Sequence, residues 1–456
     1  MVFSSLTFLF GFLPVCLILI FIFRKKTEIQ NALLVLASIV FYTWGEPEYI
    51  WLFLITIFIN WIMMYLAGQV LHESKKKLIG IFTIFIDLLF LVWFKYARWL
   101  GNGFGISIGG TALPIGISFY TFQAISYVAD ITLLNKYKAE KNPINVALYI
   151  SFFPQLIAGP IVRYEDIREQ ILKREISFDL LEKGSFRFLL GFCKKILFAD
   201  TIAVIAEKAF SSGEELSFSF AWLGAIAYTL QIFIDFSAYS DMAIGLGAIF
   251  GFRLPENFNS PYKAKNIRDF WRRWHITLSI WFRDYVYIPL GGNRRGIYRT
   301  IINIFIVWLL TGIWHGANFT FLLWGVIYGI CVLAEKILNV EKVLQKMGKP
   351  VQFCYRLFTL LVIMLLWVIF RSQNIHHAIH YMMKMVRFSL NGIDETIWFF
   401  SELKWSFIGC LILCVVSSSE MMKRRLYVWP ILLMLFIVSI VYLVKGSFSP
   451  FLYFNF

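Results

Sequence analysis

Charge is what this 456-residue chain has least of: Asp, Glu, Lys and Arg make up 16% of it, where soluble domains carry roughly a quarter. That shortage excludes an ordinary soluble globular protein, although the length alone would hold up to about three soluble domains. Cysteine is scarce too. The six present (Cys16, Cys193, Cys331, Cys354, Cys410 and Cys414) lie mostly in apolar runs and form no CxxC pair. They therefore argue against a disulfide framework or thiolate metal site, and for small residues packed among apolar ones. The chain has no P-loop, Rossmann fingerprint, HExxH or GxSxG pattern, which removes the simplest nucleotide and hydrolase readings. It also lacks internal repeats, low-complexity tracts and connections long enough to hold a separate soluble domain.

What fills the space is hydrophobic: 59% of the residues are apolar and 19% are aromatic. They come in runs able to cross a bilayer core about 30 Å thick, which takes about 20 helical residues. The candidate spans are 5–23, 30–44, 49–70, 78–98, 114–133, 185–206, 218–250, 300–330, 353–371, 405–418 and 427–445, with 218–250 and 300–330 expected to be broken. The run 6–23 is followed, not preceded, by Arg24-Lys25-Lys26. This is the reverse of a cleavable signal, so the run reads as a retained first transmembrane helix ending in the cytoplasm, with no soluble domain before it. Lys75-Lys76-Lys77 lies two spans later, on the same face, and the loop Trp44-Gly45-Glu46-Pro47-Glu48-Tyr49 falls on the outer one. The net charge of +15 has no folded basic module to carry it. Nucleic acid is thus excluded as a partner, and membrane lipid phosphates are the expected contacts of the basic loops. A single polytopic domain, residues 1–456, in the cell membrane is expected.

Three segments depart from plain spans. Residues 151–162 are apolar but short and interrupted by Pro154, Gly159 and Pro160, which suggests a re-entrant segment, since broken backbone at membrane depth must be buried in protein or line a wet cavity. Residues 266–287 are too charged to span. Arg268, Arg272, His275, Ser279 and Arg283 make one polar stripe, and Trp271, Trp274, Leu278, Trp281 and Tyr285 an aromatic one, predicting an amphipathic helix with its tryptophans at headgroup level. Residues 301–330 are apolar except for Thr311-Gly312-Ile313-Trp314-His315-Gly316-Ala317-Asn318 at the middle, where the glycines permit a kink or close backbone packing.

His315 is the sharpest chemical signal, because an ionisable residue at membrane depth is costly and marks a functional site by default. Desolvation favours a neutral imidazole, suited to take a proton from a hydroxyl nucleophile; a structural histidine bonded between helices is the competing reading. His275 is either a residue that orients or assists, or an interfacial polar side chain. Asp269 and Arg273, four residues apart, form an ion pair. Asp235, Tyr239 and Asp241 sit in an apolar stretch, where Asp235 and Tyr239 share a helical face in a polar network or a proton path. His72, His376, His377 and His380 read as surface or interface residues. No metal site is expected.

Five pieces are similar to one family: Gly116-Ile117-Ser118-Phe119-Tyr120-Thr121-Phe122-Gln123, Phe153-Pro154-Gln155-Leu156-Ile157-Ala158-Gly159-Pro160-Ile161, residues 235–243, residues 269–279, and Gly312-Ile313-Trp314-His315-Gly316. In order and combination they resemble the membrane-bound O-acyltransferase superfamily, and within it the bacterial alginate O-acetyltransferase branch, with Trp367-Val368-Ile369-Phe370-Arg371-Ser372 fitting that branch's later pattern. The resemblance implies an all-α bundle of about 10–12 transmembrane helices with re-entrant and interfacial helices around a central tunnel. It implies a catalytic core near 110–330, followed by spans over 353–445. His315 takes the place of the family's tunnel histidine, as the base or as a brief carrier of the acyl group, and His275 that of its supporting one. Arg272 and Arg273 become candidates to hold donor phosphates, and Trp314, Asn318, Asp235 and Tyr239 to bind substrate. No bound cofactor is implied; acetyl-CoA or another acyl thioester is the donor, entering from the cytoplasm. An extracytoplasmic SGNH-type partner completes transfer to a polysaccharide acceptor. D-alanyl transfer to teichoic acid and peptidoglycan O-acetylation are alternatives, and a transporter or flippase is the alternative from a different class.

Overall fold

Long apolar runs with internal backbone hydrogen bonding are the one economical way to cross a bilayer, and helices dominate accordingly. The computed structural model describes residues 1–106 and 113–446, and no strand occurs among them; the start of the expected catalytic core, near residue 110, lies outside them. The chain packs as two units, one made of Met1–Phe192 with Tyr239–Glu256, the other of Cys193–Ala238 and the residues from Asn257 on.

The first unit holds α1 (Leu13–Ile22), α2 (Thr27–Gly45), α3 (Ile50–Gln69), α4 (Glu73–Gly103), α5 (Ile117–Thr132), α6 (Pro143–Ser151), α7 (Phe153–Leu156), α8 (Tyr164–Leu172) and α9 (Phe178–Cys193). α10 (Asp200–Ser211) and the long α11 (Phe218–Ile249) follow, with α11 running from the second unit into the first. The rest of the second unit holds α12 (Ile267–Trp271), α13 (Ile276–Phe282), α14 (Gly296–His315), α15 (Phe319–Ile337), α16 (Val340–Lys346), α17 (Lys349–Arg371), α18 (Ile375–Val386), α19 (Ile393–Val415), α20 (Ser418–Lys423) and α21 (Arg425–Val444). Among the described residues eight helices are long and apolar enough to cross a membrane: Pro47–Gln69, α4, α11, α14, α15, α17, α19 and α21, with the shorter apolar Phe8–Ile22 beside them. The chain is a multi-pass membrane protein.

The sequence expectations meet this fold unevenly. The segment 151–162 is broken and buried as expected: Phe152 leaves helical geometry, Gly159 has φ +106°, and the Phe153 amide bonds to Ser38 Oγ at 3.0 Å. The segment 114–133 contains only the 16-residue α5, all of it buried. The expected break within 218–250 is absent, and α11 is one uninterrupted helix. Its two acids do not need a break because each is neutralised in place. In the second unit Asp235 lies 2.7 Å from Lys195, and in the first Asp241 lies 2.6 Å from Arg187. The amphipathic helix expected over 266–287 is two helices, α12 and α13, with a turn between them, and Trp271, Trp274 and Trp281 are buried. The span 300–330 is broken as expected, but into two separate helices.

α14 and α15 explain how that break is held. A Cβ on Gly312 would stand 2.6 Å from the Phe321 carbonyl oxygen, and one on Gly325 2.6 Å from that of Trp308. Gly312 and Gly325 let two antiparallel backbones touch, as small residues do between membrane helices, and Gly329, one turn on, makes room for the Trp308 side chain. The Gly312 position is thus used for close packing rather than for a kink.

Candidate active site

His315 is the last residue of α14, not a mid-helix residue. Gly316 follows in extended geometry (φ 175°), and Asn318 starts α15 as its N-cap, accepting from the Thr320 amide at 3.1 Å. The Asn318 amide nitrogen donates to the Gln373 carbonyl at 2.7 Å. Asn318 therefore ties the turn after His315 to the end of α17. The His315 ring, 6% exposed, stands in an aromatic cage. Trp314 lies 4.9 Å away by centroid, Trp324 and Phe370 each meet it nearly edge-on at 5.1 Å, and Phe321 lies at 6.4 Å.

His275 sits in the turn between α12 and α13 with φ +42° and ψ 53°, the left-handed region that costs a residue with a side chain of order 1–3 kcal/mol. Such geometry persists only where the surroundings impose it. Asn257 supplies that constraint. Its carbonyl accepts from the Ile276 amide at 3.0 Å, and its side-chain Oδ1 accepts from Thr277 Oγ1 at 2.9 Å and from the Thr277 amide at 3.4 Å. The same Oδ1 lies 3.0 Å from His275 Nδ1. An atom that accepts from a backbone N–H is an oxygen acceptor, so Nδ1 carries the proton and Nε2 keeps its lone pair. From the other side Phe236 meets the His275 ring at 4.7 Å and 88°. At the far end of this short element, Glu335 on α15 accepts from the first amides of α12, Ile267 at 2.8 Å and Arg268 at 2.9 Å.

One indole links the two histidines: Trp314 lies 6.1 Å from the His275 ring and 4.9 Å from that of His315. Burial holds His275 neutral, its pKa pushed down from 6.5 to about 3. The unfolded chain takes up this proton below pH 6.5 and the folded protein does not until about 3, so stability is complete above 6.5 and falls as pH drops through that window. The folding equilibrium is expected to weaken by about tenfold per pH unit there. Thermal unfolding in detergent, compared between wild type and His275→Asn, should show that slope reduced in the variant.

The other candidates fall elsewhere. Arg273 makes the predicted ion pair with Asp269 at 2.9 Å, and Arg272, half-exposed, reaches Glu341 at 3.4 Å. Asp235 is absorbed by Lys195, and Tyr239, in the first unit, stacks on Phe3 at 4.9 Å. The shared helical face of Asp235 and Tyr239 thus serves two separate environments. Sequence reasoning passed over Asn257 and the caging Phe236, Trp324 and Phe370. Asn257 lies in the irregular stretch between α11 and α12, where no periodicity draws attention to it.

Two clefts open beside these elements. One, about 490 Å³, is lined by Trp271, Ile276, Trp308 and Thr311 with Arg268, Arg272 and Arg283, so its walls include the neighbour of His275 and the residue one turn before His315. The other, about 480 Å³, runs between α12, α16 and α17 and carries Lys265, Arg273, Lys349 and Arg356 against Asp269 and Glu341.

A multi-pass helical protein with two buried imidazoles and basic clefts alongside has the parts of a membrane-embedded group-transfer enzyme. Residues 39–370 match the model of MBOAT, the membrane-bound O-acyltransferase family. The chain belongs to that family and is an acyltransferase. It is 37% identical to the probable alginate O-acetylase AlgI of Pseudomonas putida, an alignment covering 100% of both chains. It is 33% identical to the peptidoglycan O-acetyltransferase of Helicobacter pylori, over 100% of this chain and 98% of that one. With the teichoic acid D-alanyltransferase of Bacillus subtilis it shares 32% identity over 47% of this chain and 57% of the relative.

Proposed function

We propose that this protein, in the cell membrane, moves an acetyl group from a cytoplasmic thioester, acetyl-CoA, toward O-acetylation of an extracellular polysaccharide. The observation that carries the reading is the linked pair His275–Trp314–His315, two buried imidazoles of which one has its tautomer fixed by Asn257. In this reading His315 is the base. It takes the proton of the attacking hydroxyl; the oxygen bonds to the thioester carbonyl, the carbon–sulfur bond breaks, and the proton passes to the departing thiolate. As the imidazolium forms, the partial negative charge at the C-terminal end of α14 faces it. His275 Nε2 supports the same site.

Charge placement supports a cytoplasmic donor. The end of α14 away from His315 carries Arg294, Arg295 and Arg299, the antiparallel end of α15 and its successors carry Lys336, Lys342, Lys346 and Lys349, and residues 300–318 carry no acidic or basic residue but His315. By the positive-inside tendency the basic ends face the cytoplasm. The cleft of Lys265, Arg273, Lys349 and Arg356 then receives the donor's phosphates by charge-assisted hydrogen bonds, with Arg272 at its border through Glu341. Acetyl is favoured over D-alanyl because relatives matched along the whole chain at 33–37% identity are O-acetylating by name, while the D-alanyltransferases match 47% of it at 32% identity and 74% of it at 26%. An extracytoplasmic partner of the SGNH type would carry the group onto the glycan.

Membrane vesicles supplied with radiolabelled acetyl-CoA test this directly: label should appear in alkali-labile ester. Lys349→Gln with Arg356→Gln should raise the donor KM about tenfold with kcat little changed, the pattern of lost uniform binding. An unchanged KM removes this cleft as the donor site.

A further inference from the structure

Two consecutive lysines are buried in the second unit away from the histidines. Lys194 and Lys195 are 3% and 2% exposed and open the π-helical segment Lys194–Ala199 that precedes α10. Successive residues of an α-helix point about 100° apart, and the wider π turn, a geometry frequent at functional sites, accompanies their shared burial. Lys195 Nζ lies 2.7 Å from Asp200 Oδ1 and 2.7 Å from Asp235 Oδ1. Lys194 Nζ donates to Ser237 Oγ at 3.2 Å and to Ser418 Oγ at 3.0 Å.

Buried ion pairs add little stability over apolar packing of the same volume, so their worth lies in fixing one arrangement. What they fix here is α11. Asp235 and Ser237 flank Phe236, and pins on both sides prevent the helix from turning about its axis. Phe236 is the residue that meets the His275 ring at 4.7 Å and 88°. We propose that Lys194 and Lys195 form a clamp on α11 that positions Phe236, and through it the imidazole of His275, for acyl transfer. This rests on the reading of His275 as part of the transfer site. Both lysines are positioning residues, acting on the histidine through Phe236.

The test is a coupling measurement on the full-length protein in membrane vesicles with radiolabelled acetyl-CoA, comparing Lys195→Met, Phe236→Leu and the double variant. Each single change is expected to lower kcat about 10–100-fold, the cost of a small misplacement of a reacting group, with the donor KM unchanged. Because both act through one contact, the double variant should be no slower than the slower single. Lys195→Arg, which can hold both carboxylates, should restore most of the rate. Losses that multiply in the double variant, or a Lys195→Met protein with wild-type kcat, overturn the clamp. If Lys195→Met does not accumulate as folded protein, Ser237→Ala paired with Phe236→Leu puts the same question to the Lys194 arm, with the same two outcomes. Wild-type protein that transfers no label refutes the functional reading; transfer with multiplying losses refutes the clamp alone.

Discussion

His315→Ala is expected to reduce acyl transfer by about 10²–10⁴-fold, the contribution of a positioned general base, while leaving the protein folded. The second half of that expectation comes from the packing. The imidazole stands among Trp314, Phe321, Trp324 and Phe370, which remain in contact with one another without it: Phe321 and Phe370 at 4.8 Å, Trp324 and Phe370 at 5.2 Å. The turn after it is held by Asn318, which the substitution does not touch. Size-exclusion behaviour and the unfolding midpoint in detergent should therefore stay near wild type. Alanine removes the proton acceptor and not the cage. A variant that transfers at the wild-type rate would remove His315 from the mechanism.

Gly312→Val is expected to act the opposite way, through the fold. The first carbon of any side chain would stand 2.6 Å from the Phe321 carbonyl oxygen and 3.4 Å from Gly325 Cα, both backbone atoms that cannot swing aside. α14 and α15 would have to part, and with them His315 from Trp324. Overpacking costs typically 1–3 kcal/mol where side chains can adjust, and more where they cannot. Loss of folded protein, or a fall of many degrees in the unfolding midpoint, is the expected result. Gly11→Val is the matched control, because nothing lies within 4 Å of a Cβ added there. Equal midpoints for the two variants would show that the close approach of α14 and α15 does not support the fold.

Much of this was legible in the sequence, and the failures have a common physical form. Hydropathy placed 49–70, 78–98, 218–250, 353–371 and 427–445 within about five residues of helices able to cross, but 405–418 begins well inside α19, and the expected spans 30–44, 114–133 and 185–206 are not among the eight. The cost of a histidine in an apolar run singled out His315. The i, i+4 spacing found the Asp269–Arg273 pair. What misled was reasoning that stops at local periodicity. The stripe from Arg268 to Arg283 reads as one helix only if Asn257, outside that stretch, is ignored; its bonds to the Ile276 and Thr277 amides end one helix and start another at His275. The tryptophans of that stripe look like a headgroup belt until their partners are known. Trp271 lies 4.7 Å from Trp308, and Trp274 lies 4.9 Å from Trp367, so they are core residues.

α11 teaches the same lesson from the other side. Two aspartates in an apolar helix suggest a break, and the charges that make one unnecessary, Lys195 and Arg187, come from earlier in the chain. The helix end at His315 was more accessible: Asn318, just before the apolar run of α15, is a typical N-cap residue, and it caps that helix. Taken alone, that signal would have moved the histidine from the middle of a helix to its end.

The most direct measurement is ester analysis, by mass spectrometry of the extracellular and wall polysaccharides, in a strain deleted for this protein and complemented with wild type or with His315→Ala. This keeps the native donor and any partner in place. The account predicts that O-acetyl esters are lost on deletion, return with the wild-type chain and stay absent with His315→Ala present at normal level in the membrane. Acetyl esters restored in full by His315→Ala would contradict it.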